Sequence, residues 1–143
     1  MYSKGDAALM GLLDSFKKSK AELSDKQKKW NKMWELWVNG CAASPYAELM
    51  TYQSEVNNGG HSYYFYNIGN SFDLQNGINT LETVLSDKLR RNLQDAYHAH
   101  LALVDNEFDE NAETVLERCD KEFYENEDEI KRTLEEYAAK IEL

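Results

Sequence analysis

Apolar residues recur in this chain at intervals of three and four along nearly its whole length, and runs rich in Val, Ile and Thr are absent. That interval is the period of the α-helix, which brings residues i, i+3, i+4 and i+7 onto one face. Pro45 is the single proline, so little in the sequence breaks the pattern. Leu9, Leu12, Leu13 and Phe16 form a first stripe, and Trp30, Met33, Trp34 and Trp37 share the face of a second helix. Ser24 with Gln27 reads as a capping box opening that second helix. Ser44-Pro45 reads as a cap followed by proline at the first helical position, where its missing N–H leaves nothing unpaired. Tyr46, Leu49, Met50 and Gln53 follow at helical spacing.

Asn57-Asn58-Gly59-Gly60 then interrupts the period, as a tight turn or helix end. Residues 61–68 form a short aromatic helical segment, and Gly69-Asn70-Ser71 breaks the pattern again. Leu74, Ile78, Leu81 and Leu85 make the next stripe, Ser86 caps a helix carrying Leu89, Leu93, Tyr97 and Leu101, and an acidic loop spans 105–109. Ala112, Val115, Leu116, Cys119 and Phe123 make a seventh stripe, and Ile130, Leu134, Tyr137 and Ile141 an eighth. The expected fold is all-α: residues 1–143 as a single compact array of about eight helices, several of them short.

Charge limits what such an array can bind. Of a formal net charge of −10, residues 1–50 contribute +2, residues 51–104 contribute −2 and residues 105–143 contribute −10. This sign repels phosphates, so direct nucleic-acid binding is not expected, whereas a basic protein partner is favoured. Glu110, Glu113, Glu117 and Asp120 follow i, i+3, i+7, i+10, which lines them along one flank beside the apolar stripe. Asp128, Glu135 and Glu142 are spaced by seven, again on one side. A helix of about 15 residues is ~22 Å long. Duplex DNA of that length carries ~13 phosphate charges. The two acidic helices therefore carry charge of the same order as a duplex of equal length. A solvated surface laced by the i, i+4 pairs Glu127–Lys131, Asp128–Arg132 and Glu136–Lys140 accounts for the same residues. Both readings stay open on charge alone. So do two readings of Lys17, Lys18, Lys20, Lys26, Lys28 and Lys29, as a solvated face or as a surface docking against the acidic end of the same or a second chain.

Chemistry-bearing motifs are few. Cys41 and Cys119 match no metal or redox spacing, and two lone thiols suit a reducing compartment. No signal-type apolar run opens the chain and no stretch reaches the ~18 apolar residues of a membrane span, so the expected location is cytoplasmic, away from membranes. His98 and His100 point to different sides of a helix, and His61 has no Cys or second His nearby in sequence, so neither metal nor other cofactor is expected. No nucleophile elbow, phosphate loop or zinc-protease motif is present. The tryptophan stripe reads first as core and second as a dimer interface.

The stretch Glu55-Val56-Asn57-Asn58-Gly59-Gly60-His61-Ser62-Tyr63-Tyr64-Phe65-Tyr66-Asn67 resembles the signature of a bacterial family of unknown function, which includes a neisserial DNA-mimic protein. The stretch from Cys119 to Asp128, with Leu134 and Tyr137, is similar to that family's closing pattern. The resemblance covers about residues 45–140. It implies an all-α fold and, for the mimic, an acidic surface that occupies a repressor's DNA-binding face, acting as a dimer. Within the motif, Glu55, Asn58, Gly59, Gly60, Tyr64 and Asn67 read as a structural turn, with Glu55, Asn58 and Asn67 bonding loose backbone groups. The alternative is a pocket where Tyr63, Tyr64 and Tyr66 converge.

The functional expectation is a non-enzymatic acidic protein-binding module, in the manner of a DNA mimic, using Glu110, Glu113, Glu117, Asp120, Asp128, Glu135 and Glu142. The alternatives are an immunity or antitoxin protein, and a small hydrolase or ligand-binding enzyme centred on Glu55, His61 and the tyrosines.

Overall fold

The computed structural model describes residues 23–69 and 71–143. Among the described residues six α-helices follow one another: α1 (Asp25–Val38), α2 (Tyr46–Ile68), α3 (Ser71–Glu82), α4 (Asp87–Asp105), α5 (Glu110–Glu125) and α6 (Glu127–Ala139). The all-α expectation holds, and the count among the described residues is six where about eight were expected for the whole chain. The first stripe, from Leu9 to Phe16, lies outside the described residues. The interruption expected at Asn57-Asn58-Gly59-Gly60 is present: two helical segments meet there across a kink, with non-helical geometry at Gly59 and Gly60, and are described together as the two arms of α2.

Local capping follows the sequence at several ends. The Ser24 hydroxyl accepts the Gln27 amide at 3.1 Å. The Gln27 side chain, however, turns forward to Asn31 rather than back to the cap. Ser86 accepts the Leu89 amide at 3.4 Å and Asp109 that of Ala112 at 3.0 Å. Ser44 departs from expectation. Pro45 itself takes the capping position, and the Ser44 hydroxyl donates to both carboxylate oxygens of Glu48 at 3.0 and 2.9 Å.

The stripes converge on one core. Met33 of α1, Leu49, Met50, Tyr52, Tyr64 and Phe65 of α2, Leu81 of α3, Leu93 of α4, Phe123 of α5 and Leu134 of α6 are all at most 1% exposed. Each such large side chain contributes about 1.5–3 kcal/mol on burial. The tryptophans of α1 sit at the margin of this core, stacked edge to face on one another, and the Trp37 indole N–H donates to Thr51. Across the same margin Lys29 reaches the Ala139 carbonyl at 3.0 Å, a cation at the negative end of α6. Tyr46 and Tyr137 stack with centroids 4.3 Å apart, fastening α2 to α6. The buried Asn92 amide donates to the Cys119 carbonyl at 2.8 Å, joining α4 to α5. The α4 stripe outruns the core, leaving Leu101 42% and Val104 68% exposed.

Both thiols are free, Cys119 buried and Cys41 exposed. Among the described residues no helix is long and apolar enough to cross a membrane, and no cluster of His, Cys, Asp or Glu is arranged to hold a metal ion.

The kink depends on Gly60, whose φ of 77° lies in the left-handed region and whose missing side chain leaves room for the Asp120 carboxylate. Gly60→Ala is expected to lower stability by at least about 2 kcal/mol, read as a fall in the urea midpoint. Gly69→Ala is the comparison, because a Cβ at 69 meets nothing within 4 Å although φ there is 97°. A Gly60→Ala loss no larger than that of Gly69→Ala would mean that the approach of Asp120 does not matter.

Candidate functional site

The most distinctive sequence motif turns out to be answered by residues sixty positions away. At the kink α2 has lost helical geometry at Gly59 and Gly60, so backbone groups on either side need partners. Helix α5 supplies them from one face. The Asp120 carboxylate accepts the His61 backbone N–H at 2.8 Å, capping the second arm of α2 from outside. One turn further along, the Tyr124 hydroxyl donates to the Val56 carbonyl at 2.8 Å, on the first arm. Gly59 is as constrained as Gly60, since a Cβ there would stand 2.7 Å from the Tyr63 side chain.

His61 is fully buried beneath this joint. Its Nδ1 lies 2.7 Å from Asp120 and its Nε2 lies 2.6 Å from the Tyr52 hydroxyl. A carboxylate can only accept, which places a proton on Nδ1; in the tautomer that leaves Nε2 bare, that nitrogen accepts the Tyr52 O–H. The result is a Tyr52–His61–Asp120 chain with the aromatic rings of Phe65 and Phe123 around the imidazole. Burial pushes the Tyr52 phenol well above its ordinary value, with Tyr64, Cys119 and Asp120 adding to the effect. Although an acid, a histidine and a phenol in line resemble catalytic machinery, both ring nitrogens are engaged and the imidazole has no exposed surface for a substrate.

Other motif residues divide by role. The Asn67 amide donates to Glu55 at 2.8 Å, bridging the two arms of α2. This differs from the expected side-chain bonds to backbone, because Asp120 and Tyr124 already satisfy those groups. Asn58 is exposed. Tyr63 and Tyr66 are 45% and 83% exposed whereas Tyr64 is buried, so the three do not converge on one pocket. Glu127, read in the sequence only as an i, i+4 partner of Lys131, accepts from Asn57 at 2.7 Å and Gln53 at 3.1 Å, holding the first arm of α2 to the start of α6.

The seven carboxylates expected to meet a partner are not equivalent. Glu110, Glu113 and Glu117 are exposed along α5 and make no ion pair among the described residues. Asp120 turns inward to His61. On α6, Asp128 is exposed, while Glu135 is partly covered and lies 3.8 Å from Lys26. Glu142 is exposed beyond the end of α6. Of the lysines set against them in the sequence reading, Lys17, Lys18 and Lys20 lie outside the described residues. The opposite flank of α5 is partly neutralised by α4, through Arg118–Asp95 at 3.2 Å and Lys88–Glu122 at 3.6 Å. Such exposed pairs are worth at most about 1 kcal/mol each.

Residues 46–141 match the family model described as DMP19-like protein. The chain belongs to the DMP19-like protein family. Its matched region starts at the first residue of α2 and takes in the kink, Asp120, Tyr124 and all of α6, so α1 lies outside it. Searches of curated proteins and of solved structures each gave no match.

Two outcomes test the site. Asp120→Ala strands the His61 amide and ring N–H together and is expected to cost about 3 kcal/mol by urea unfolding. In Glu117→Ala, three residues away but exposed, the change should stay within about 0.5 kcal/mol. Tyr52 also predicts a pH dependence. Below the ordinary phenol value near 10 both folded and unfolded chains hold the proton, and the stabilisation is complete. As pH rises beyond it the unfolded chain ionises while the buried phenol resists, so stability falls. Tyr52→Phe should be less stable at neutral pH and show a shallower decline above pH ~10, the slope that remains belonging to the phenols of Tyr64 and Tyr124 and the thiol of Cys119, all of which burial pushes up.

Proposed function

We propose that this chain is a non-enzymatic acidic protein-binding module that acts as a DNA mimic, occupying the basic surface of a DNA-binding protein. The observation that carries the proposal is the row Glu110, Glu113 and Glu117, exposed and unpaired along α5, in a segment of net charge −10. Membership of the DMP19-like family supports it. Carboxylates at i, i+3 and i+7 follow one helix edge at intervals of about 5–6 Å, near enough to the spacing of successive phosphates to meet the same cations.

The contact surface is drawn more narrowly than charge counting alone suggests. Glu110, Glu113, Glu117 and Asp128 are its centre and Glu142 its edge. Asp120 and Glu135 support it from beneath, the first holding α2 and the second paired with Lys26. Fixed on rigid helices, these carboxylates meet a cationic surface without first being ordered, and such complementarity sets encounter rate and register. In this proposal the module is a single helical domain working in the cytoplasm, where regulators of transcription are found, and a dimer would double the length of the acidic edge.

Capture from an extract of the native host at low salt tests this. The immobilised chain is expected to retain a basic DNA-binding protein that is released by rising salt and by competing duplex DNA. The triple reversal Glu110→Lys, Glu113→Lys, Glu117→Lys should abolish retention while leaving the helical circular dichroism unchanged. Retention that survives the triple reversal, or no basic protein held at low salt, would overturn the proposal.

A further inference from the structure

A pocket of about 340 Å³ opens between the first arm of α2, its second arm and α3, away from the acidic edge of α5. Glu48 and Thr51 come from the first arm, Tyr64 from the second, and Asp73, Asn76 and Gly77 from α3. Its volume is at the lower end of what small-ligand sites enclose, which suits a short, slender group.

Three observations point to an occupant. Tyr64 is only 1% exposed, yet its hydroxyl makes no hydrogen bond among the described residues, although a buried phenol ordinarily finds a partner. Its oxygen stands over Gly77, so close that a Cβ there would lie 3.2 Å away; glycine in the middle of a helix keeps that space open at a cost in helix propensity. Finally, the lining offers the carboxylate of Glu48 and the side chain of Asn76, and no Lys or Arg among its described residues. Glu48 spends its two oxygens on the Ser44 hydroxyl alone, a single donor shared between them, leaving acceptor capacity on both.

From this arrangement we infer that the pocket binds a primary alkylammonium group, held by Tyr64 and Glu48. An ammonium brings three N–H donors and no acceptor, the complement of a lining rich in oxygens. Its slim alkyl stem fits beside Ala47 and Ile68, which form the apolar wall. The group has two sources, a free aliphatic diamine or the side chain of a lysine on a protein. The inference stands apart from the proposed role of α5, because it uses none of the same residues.

Titration of the ¹⁵N-labelled full chain with 1,4-diaminobutane, at constant ionic strength, tests it. Saturable shifts are expected at the amides of Thr51, Tyr64, Gly77 and Thr80. Tyr64→Phe deletes only the oxygen and should weaken binding roughly tenfold, the loss expected for one hydrogen bond to a charged group. Gly77→Ala fills the space over that oxygen and should weaken binding as much. A parallel titration with a blocked lysine amide separates the sources: tighter binding of the diamine assigns a free amine, tighter binding of the lysine a protein side chain, and either supports the site. Equal shifts with tetramethylammonium, which has no N–H, would overturn the inference. So would unchanged binding in either variant, shifts confined to α5 and α6, or no shift at all by about 10 mM.

Discussion

The interaction on which this fold depends is the one between a carboxylate and a backbone amide, Asp120 to His61, 59 residues apart in sequence and 2.8 Å apart in space. A helix broken by two glycines leaves polar backbone groups in a hydrophobic interior, where each unpaired group costs about 1–3 kcal/mol. Helix α5 removes that cost from a single face, because Asp120 and Tyr124 are one turn apart and reach the two sides of the break together. The kink is therefore a joint between elements rather than a local accident of α2. It bends the second arm so that Tyr64 and Phe65 enter the core while Tyr63 and Tyr66 stay outside. The pairs Glu55–Asn67 and Asn57–Glu127 then fix the two arms to one another and to α6.

That joint also explains why an imidazole is buried without a charge partner problem. Asp120 carries the negative charge at the partly exposed end of the chain of hydrogen bonds, with its side chain 29% accessible, while Tyr52 at the other end is neutral and fully enclosed. With both ring nitrogens hydrogen-bonded, the imidazole leaves no polar atom unpaired in the interior. Seen without burial, the same three residue types would suggest general acid–base chemistry. Their connectivity, together with the closed surroundings, makes them a structural unit.

Much of this architecture was readable in the sequence. Apolar period located every described helix, and Ser24 and Ser86 marked two starts because a hydroxyl three residues before a free amide is a local relation. The motif Asn57-Asn58-Gly59-Gly60 was legible as the interruption that it is, whereas the partners that hold the two arms beside it, on α5 and α6, were not. Asp120 shows the limit most clearly. It shares the i, i+3 rhythm of Glu110, Glu113 and Glu117, and its rotation about the helix axis differs from that of Glu113 by only about 20°. Sequence spacing cannot resolve that angle, yet it separates an exposed charge from one committed to the interior. Glu135 was obscured for a similar reason, its neighbour Lys26 being more than a hundred residues distant. Tyr64 stood out as part of an aromatic run, but its isolation from its neighbours becomes visible only once α3 is placed beside it.

The division of labour among the carboxylates has a consequence for how a surface like this can change. Charges that serve the fold, Asp120 and Glu127, have geometric partners and cannot move without disturbing α2. Charges such as Glu110, Glu113 and Glu117 are exposed and make no ion pair among the described residues, so their number and spacing are free to follow whatever they face. Exposed carboxylates near the start of a helix are moreover favoured by its dipole, which lets Glu110 and Glu113 accumulate there without loss of stability. A helix anchored on one side by Asp120 and Tyr124 and by the apolar row Ala112, Leu116, Cys119 and Phe123 can thus carry an adjustable acidic edge on the other. The rigid joint within and the variable charge without are two faces of α5, and the first is what makes the second independent of the fold.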